Sequence, residues 1–206
     1  MKAEQVKEIF AQISAVMTEN RDYLIELDQQ NGDGDLGISM SEGYEAVVHY
    51  LESAEEKDLG KLFMGCARTF NEAAPSSLGT ITSFGLMGMA KALKGKEEAP
   101  FAEAAQAMEK GLENIMAKGG AKPGEKTIID ALDPGIRTLL EYAGDPDQAV
   151  KKAAEAAAEG SEATRAMHSV HGRAAYYGDK SIGVLDGGSV VGKLIFEGIS
   201  RYWNAR

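Results

Sequence analysis

The segment Leu27-Asp28-Gln29-Gln30-Asn31-Gly32-Asp33-Gly34-Asp35-Leu36-Gly37 crowds three carboxylates onto a stretch loosened by three glycines. Left unpaired, Asp28, Asp33 and Asp35 would repel one another. A hard divalent cation between them removes that repulsion, and magnesium takes oxygen ligands while keeping positions for water or phosphate. These three aspartates are the metal candidates. Asn, Gly and Asp are also the commonest turn residues for local reasons, so the segment by itself leaves a solvated turn open. A calcium loop of the EF-hand type fails on spacing, because the twelfth position counted from Asp33 is Tyr44 instead of a bidentate glutamate.

Three further segments could meet an anion. Ala73-Ala74-Pro75-Ser76-Ser77-Leu78-Gly79-Thr80 leads directly into an apolar helix. The free amides and hydroxyls of Ser76, Ser77, Gly79 and Thr80 there suit either an anion or a plain helix cap. Gly119 to Asp130 is a second loop-to-helix junction, with Gly124, Lys126 and Thr127 at its centre; it lacks the glycine spacing and Gly-Lys-Ser/Thr ending of a Walker A loop. In the third, His171 to Ser189, Arg173 and Lys180 could contact phosphate, and Asp186 a ribose hydroxyl or a metal-bound water. Gly187-Gly188-Ser189 could open the last helix toward an anion. A charged surface loop is the alternative, but the aromatic and branched apolar content favours an ordered excursion across the mouth of a site.

The elements that must position these segments are helical. Over residues 3–19, Val6, Ile9, Phe10, Ile13, Val16 and Met17 recur at three- and four-residue spacings, the period of a helix with one buried face. The same pattern predicts helices near 42–53, 58–71, 78–94, 101–118, 127–143, 147–159 and 189–203, with no convincing strand. Asp28–Met40 and His171–Gly188 resist the helical reading. The expectation is an all-α fold of about eight helices in a single domain spanning 1–206, with short turns such as Gly119-Gly120 and Gly144-Asp145-Pro146 favouring antiparallel neighbours.

The formal charge of −10, from 32 acidic and 22 basic residues without a basic run, argues against nucleic acid as a partner. No segment approaches the ~18 uninterrupted apolar residues of a membrane span, and the charged start Met1-Lys2-Ala3-Glu4 is unlike a secretory signal, so a soluble, cytoplasmic protein is expected. The single cysteine, Cys66, fits a reducing compartment and a place in the core. His168 and His171 are read as structural or surface residues.

Taken in order, Leu27-Asp28 with Gly32-Asp33-Gly34-Asp35, Lys122-Pro123-Gly124-Glu125-Lys126-Thr127 with Asp130, and Gly172-Arg173-Ala174 through Ser181-Ile182-Gly183 and Asp186 resemble the L subunit of dihydroxyacetone kinase. The equivalent domain of the single-chain kinases carries the same motifs. The resemblance implies a barrel of antiparallel amphipathic helices holding ADP or ATP at one end, with two magnesium ions bridging its phosphates to Asp28, Asp33 and Asp35. It places Ser39, Ser76, Ser77, Gly79, Thr80, Gly124, Thr127, Arg173, Asp186 and Gly187 around the nucleotide. It also implies a partner K subunit that holds a short ketose, and either recharging of the nucleotide by a phosphotransferase M subunit or exchange for fresh ATP.

Some residues depart from the family pattern. Leu36 and Ser39 stand where histidine and asparagine are usual, Ala73-Ala74-Pro75-Ser76-Ser77 replaces a Gly-Gly-Ala-Ser-Gly loop, and Asp186-Gly187-Gly188 replaces Asp-Pro-Gly. The leading expectation is a kinase subunit acting on a short ketose. A nucleotide-sensing module without transfer activity is the second reading, and a lipid-binding helical barrel, which leaves the aspartates unexplained, is the third. The C-terminal Tyr202 and Trp203 could pack on their own barrel or on a second copy in a homodimer.

Overall fold

Apolar residues at helical spacing become the buried faces of nine α-helices in a computed structural model that describes residues 1–206. In α1 (Ala3–Glu19), Val6, Phe10, Ile13, Val16 and Met17 are buried. There follow α2 (Arg21–Asp28), α3 (Leu36–Ser53), α4 (Leu59–Ala73), α5 (Ser77–Ala92), α6 (Phe101–Gly119), α7 (Ile129–Glu141), α8 (Pro146–Ala163) and α9 (Gly187–Asn204), with short 3-10 segments at 164–166 and 173–181.

Two corrections to the sequence reading fall beside the acidic loop. The stretch 28–40 is not wholly irregular: α2 ends on Asp28, and α3 starts at Leu36, well before residue 42. Helix α2 buries only Leu24 and Leu27, too few positions to set a period. The first turns of α3 carry Gly37, Ser39, Ser41 and Gly43, weak helix formers that are buried here, so packing overrides propensity. Gly37 is required by close approach, since a Cβ there would lie 2.1 Å from the Arg21 carbonyl oxygen.

Eight of the helices make a ring. α1 packs on α3, and contacts then run in order from α3 through α4, α5, α6, α7 and α8 to α9, which closes against α1; α2 lies outside the ring against α3 and α9. Helices α4 and α5 are 15 and 16 residues long. At about 1.5 Å per residue they cannot be packed side by side across a link of only Ala74–Ser76 without reversing direction, and the link at 142–145 turns α7 into α8 in the same way.

The interior retains an apolar cavity of about 350 Å³ lined by residues such as Phe10, Phe63, Leu112 and Ile136. At the end where α9 finishes, Trp203 packs edge-on against Phe101 with ring centroids 5.5 Å apart and donates to Asp147 at 2.7 Å. Tyr202 is buried and accepts from the Gln5 amide, so both C-terminal aromatics are engaged on their own barrel. Cys66 is buried, and burial pushes its thiol up to about 12. No helix is long and apolar enough to cross a membrane.

Candidate active site

The end of α2, the start of α3 and the turn between them gather the three aspartates. Asp28 accepts from the Gly34 amide at 2.7 Å through its side chain and from the Gly32 amide at 2.6 Å through its carbonyl, which folds the loop back on itself. Asp35 stands just before α3 and its carbonyl accepts from Ser39 at 2.9 Å. One carboxylate oxygen from each of Asp28, Asp33 and Asp35 lies within 4.8 Å of the others. Partial desolvation, followed by the Asp33 and Asp28 charges, raises the pKa of Asp35 even though Arg173 opposes the shift. Several hard oxygen donors and an excess of like charge fit a divalent cation. Arg173, from the 173–181 segment, makes an ion pair with Asp33 across this cluster.

Four helices begin around the loop. Ser76 caps α5 by accepting from the Gly79 amide at 3.0 Å and donates to Ser39 on α3 at 3.1 Å. A Cβ on Gly187, the first residue of α9, would lie 2.5 Å from the Leu36 side chain, and one on Gly188 would lie 3.2 Å from the Ile128 amide just before α7. The N-termini of α3, α5, α7 and α9 therefore share one end of the ring, and the positive ends of their dipoles favour a negatively charged ligand there. Ser77 is exposed on the first turn of α5, Gly79 is buried, and the Thr80 amide donates to the Ser76 carbonyl at 3.0 Å. Beside the aspartates, Asn31, Gly32, Arg173, Tyr176 and Tyr177 line an open crevice of about 420 Å³.

The 122–130 turn is built by Asp130, a buried carboxylate that accepts from the Gly124 amide at 2.5 Å and the Thr127 amide at 2.7 Å. Thr127 answers through its hydroxyl, which accepts from Ile129 at 3.2 Å. Asp130 was legible only as part of a motif; its role is announced by the Thr-x-x-Asp spacing of a capping box. Lys126, in the same loop-to-helix junction, turns inward. It is buried at φ 60°, and its Nζ donates to the carbonyls of Met167, Ser181 and Val184. Burial lowers its pKa, against the pull of Asp186.

Asp186 caps α9, accepting from the Ser189 amide at 2.6 Å. Burial drives its carboxyl up to about 7 against that hydrogen bond, and Asp130 and Asp28 add to the rise. Lys180 is exposed. His168 lies 3.5 Å from Asp179 and His171 lies 2.7 Å from Glu125, whose pKa falls through the His171 hydrogen bond first. Both histidines are thus engaged within the excursion and its neighbouring turn.

Residues 30–201 match the DAK2 domain. The chain belongs to that family. The DAK2 match takes in Asp33, Asp35 and every candidate nucleotide residue, and begins two positions after Asp28. Across 178 residues the chain is 31% identical to the ADP-binding subunit DhaL of PEP-dependent dihydroxyacetone kinase 1 from Listeria innocua, covering 86% of this chain and 85% of that protein. It is 28% identical to the ADP-binding subunit DhaL of the Escherichia coli K12 PEP-dependent dihydroxyacetone kinase, covering 84% of each. The fold of this chain matches part of the crystal structure of the C. freundii dihydroxyacetone kinase in complex with AMP-PNP and Mg2+, with a TM-score of 0.77 at 23% identity over 95% of this chain and 33% of that one.

Proposed function

We propose that this chain is the nucleotide-binding subunit of a short-ketose kinase, passing a phosphoryl group from magnesium-ATP to an alcohol group of a ketose held by a partner K subunit. The observation that carries the reading is the convergence of Asp28, Asp33 and Asp35 within 4.8 Å at the end of the ring where four helices begin. In this reading the three aspartates hold two magnesium ions. Ser39, Ser76, Ser77, Gly79, Thr80, Gly124, Thr127, Arg173, Asp186 and Gly187 surround the nucleotide. Magnesium supplies charge neutralisation at the phosphates, which is most of what phosphoryl transfer asks of a protein. The names of the relatives, ADP-binding subunits of dihydroxyacetone kinases, support the assignment.

The surface around the site supports a partner that presents the acceptor. The exposed large apolar side chains are Tyr23, Ile38, Val170, Tyr176, Tyr177 and Ile182, on α2, the first turn of α3 or residues 170–182. Of these, Tyr176 and Tyr177 line the crevice beside the aspartates, where exposed aromatic rings suit contact with a partner. The nucleotide is then recharged by a phosphotransferase M subunit or exchanged for ATP.

Leu36 favours the second reading, a binding module without transfer: it is buried and pressed against Gly187 at the rim of the site, so it offers no polar contact there. Calorimetric titration of nucleotide-stripped protein with ADP and ATP, with and without magnesium, tests the shared part. Magnesium-dependent binding is expected, and none at millimolar nucleotide would overturn both readings. Product formation from dihydroxyacetone and ATP by this chain with its purified K subunit then decides for the kinase.

A further inference from the structure

Lys126 is the only buried lysine, and none of its hydrogen-bond partners is a carboxylate. A desolvated ammonium is costly unless its donors are met, and it has three. Here they meet three carbonyls: Met167 at 3.2 Å on the outgoing leg of the excursion, and Ser181 at 2.5 Å and Val184 at 2.7 Å on the returning leg. The same two legs are laced by Ser169 donating to the Ser181 hydroxyl at 3.0 Å and by the Gly183 amide donating to the Arg165 carbonyl at 2.8 Å. The Arg165 guanidinium returns a bond to the Gly183 carbonyl at 3.1 Å. The two legs of the excursion are therefore drawn together around one side chain.

The tip of that loop carries Arg173, paired with Asp33, and Tyr176 and Tyr177, which face Asn31 and Gly32 across the crevice. The backbone beneath Lys126 is held in turn. Its φ of 60° is uncommon for a residue with a side chain, and Asp130 grips the turn on both sides through the Gly124 and Thr127 amides. A continuous chain of contacts thus runs from the start of α7, through Lys126 and the stem of the loop, to the guanidinium beside the aspartates.

We propose that Lys126 is a positioning residue whose ammonium clamps the two legs of the 165–184 loop, holds Arg173 over the aspartate cluster and thereby sets how tightly the magnesium-nucleotide is retained. The retention half rests on the function proposed above; the clamp does not. Amide hydrogen exchange reads the clamp without any ligand. In the wild type, the Ser169 and Gly183 amides are expected to be protected, and Lys126→Met is expected to release them and the loop tip while leaving α4 to α6 unchanged. Fast exchange of these amides in the wild type, or an unchanged pattern in a folded variant, would overturn it.

Retention is read by calorimetry with magnesium-ADP on Lys126→Met, Arg173→Ala and the double variant. Each single change should weaken binding roughly tenfold, as expected for a lost hydrogen bond to a charged group. The double variant should be no worse than the weaker single variant, because both act through the same guanidinium, and Lys126→Arg should recover part of the loss. Fully additive losses would reduce Lys126 to general support of the fold. A wild type that binds no magnesium-ADP removes the proposed function and the retention half together, with hydrogen exchange still deciding the clamp.

Discussion

The aspartates divide the work of the loop unequally. Asp28 is half-buried and already accepts a backbone hydrogen bond, whereas Asp33 and Asp35 are exposed. Asp33→Ala or Asp35→Ala is expected to weaken magnesium-dependent ADP binding at least tenfold, about 1.4 kcal/mol, with little effect on melting; unchanged calorimetric affinity would remove the metal site. Asp186 gives a pH signature. Its carboxyl sits at about 7 in the folded chain against an ordinary value of 3.8. Between those values the folded chain keeps a proton that the unfolded chain releases, so this group's contribution is most favourable at acid pH and is lost as pH rises toward 7. Asn caps a helix as well as Asp does. Asp186→Asn should therefore lose less melting temperature than the wild type between about pH 5 and about pH 8, and equal slopes in the two proteins would point to another group. The residue types at these positions were legible in the sequence. What was not legible is that Asp186 is desolvated and close enough to Asp130 and Asp28 to feel them, because that proximity joins segments distant in the chain.

Helix periods were legible wherever a long stripe faced the interior. The stretch from Arg21 to Met40 was not, since α2 is short and the first turns of α3 are built from small residues chosen for contact. Gly37 shows the reason. A methyl group there would strike the Arg21 carbonyl, so Gly37→Ala must push α3 away from α2 and separate Asp28 from Asp35. Overpacking of this kind costs about 1–3 kcal/mol. The variant is expected to lose both denaturant stability and magnesium affinity, and a loss of stability with affinity intact would show that the two helices do not set the carboxylate spacing. Ser76→Ala removes the cap of α5 and its bond to Ser39, at about 1 kcal/mol by urea unfolding. A neutral result would mean that water replaces the hydroxyl.

At the scale of the molecule, the ring is closed by the α1–α9 seam, where a Cβ on Gly198 would lie 2.6 Å from the Ile13 Cα. Gly198→Ala should cost about 1–3 kcal/mol and lower the melting temperature by roughly 3–10 °C, read by calorimetry. An unchanged melting temperature would mean that the seam yields without strain. The helical class, most helix boundaries, the three aspartates and the order of the glycine-rich motifs were determined by the sequence alone, because period, turn chemistry and charge are local properties. Closure of the ring, the meeting of four helix N-termini, the pairing of Arg173 with Asp33 and the burial of Lys126 among carbonyls were decided only by tertiary structure. Each of these brings together groups far apart along the chain, and their distances follow from which helix faces pack, which no local window contains.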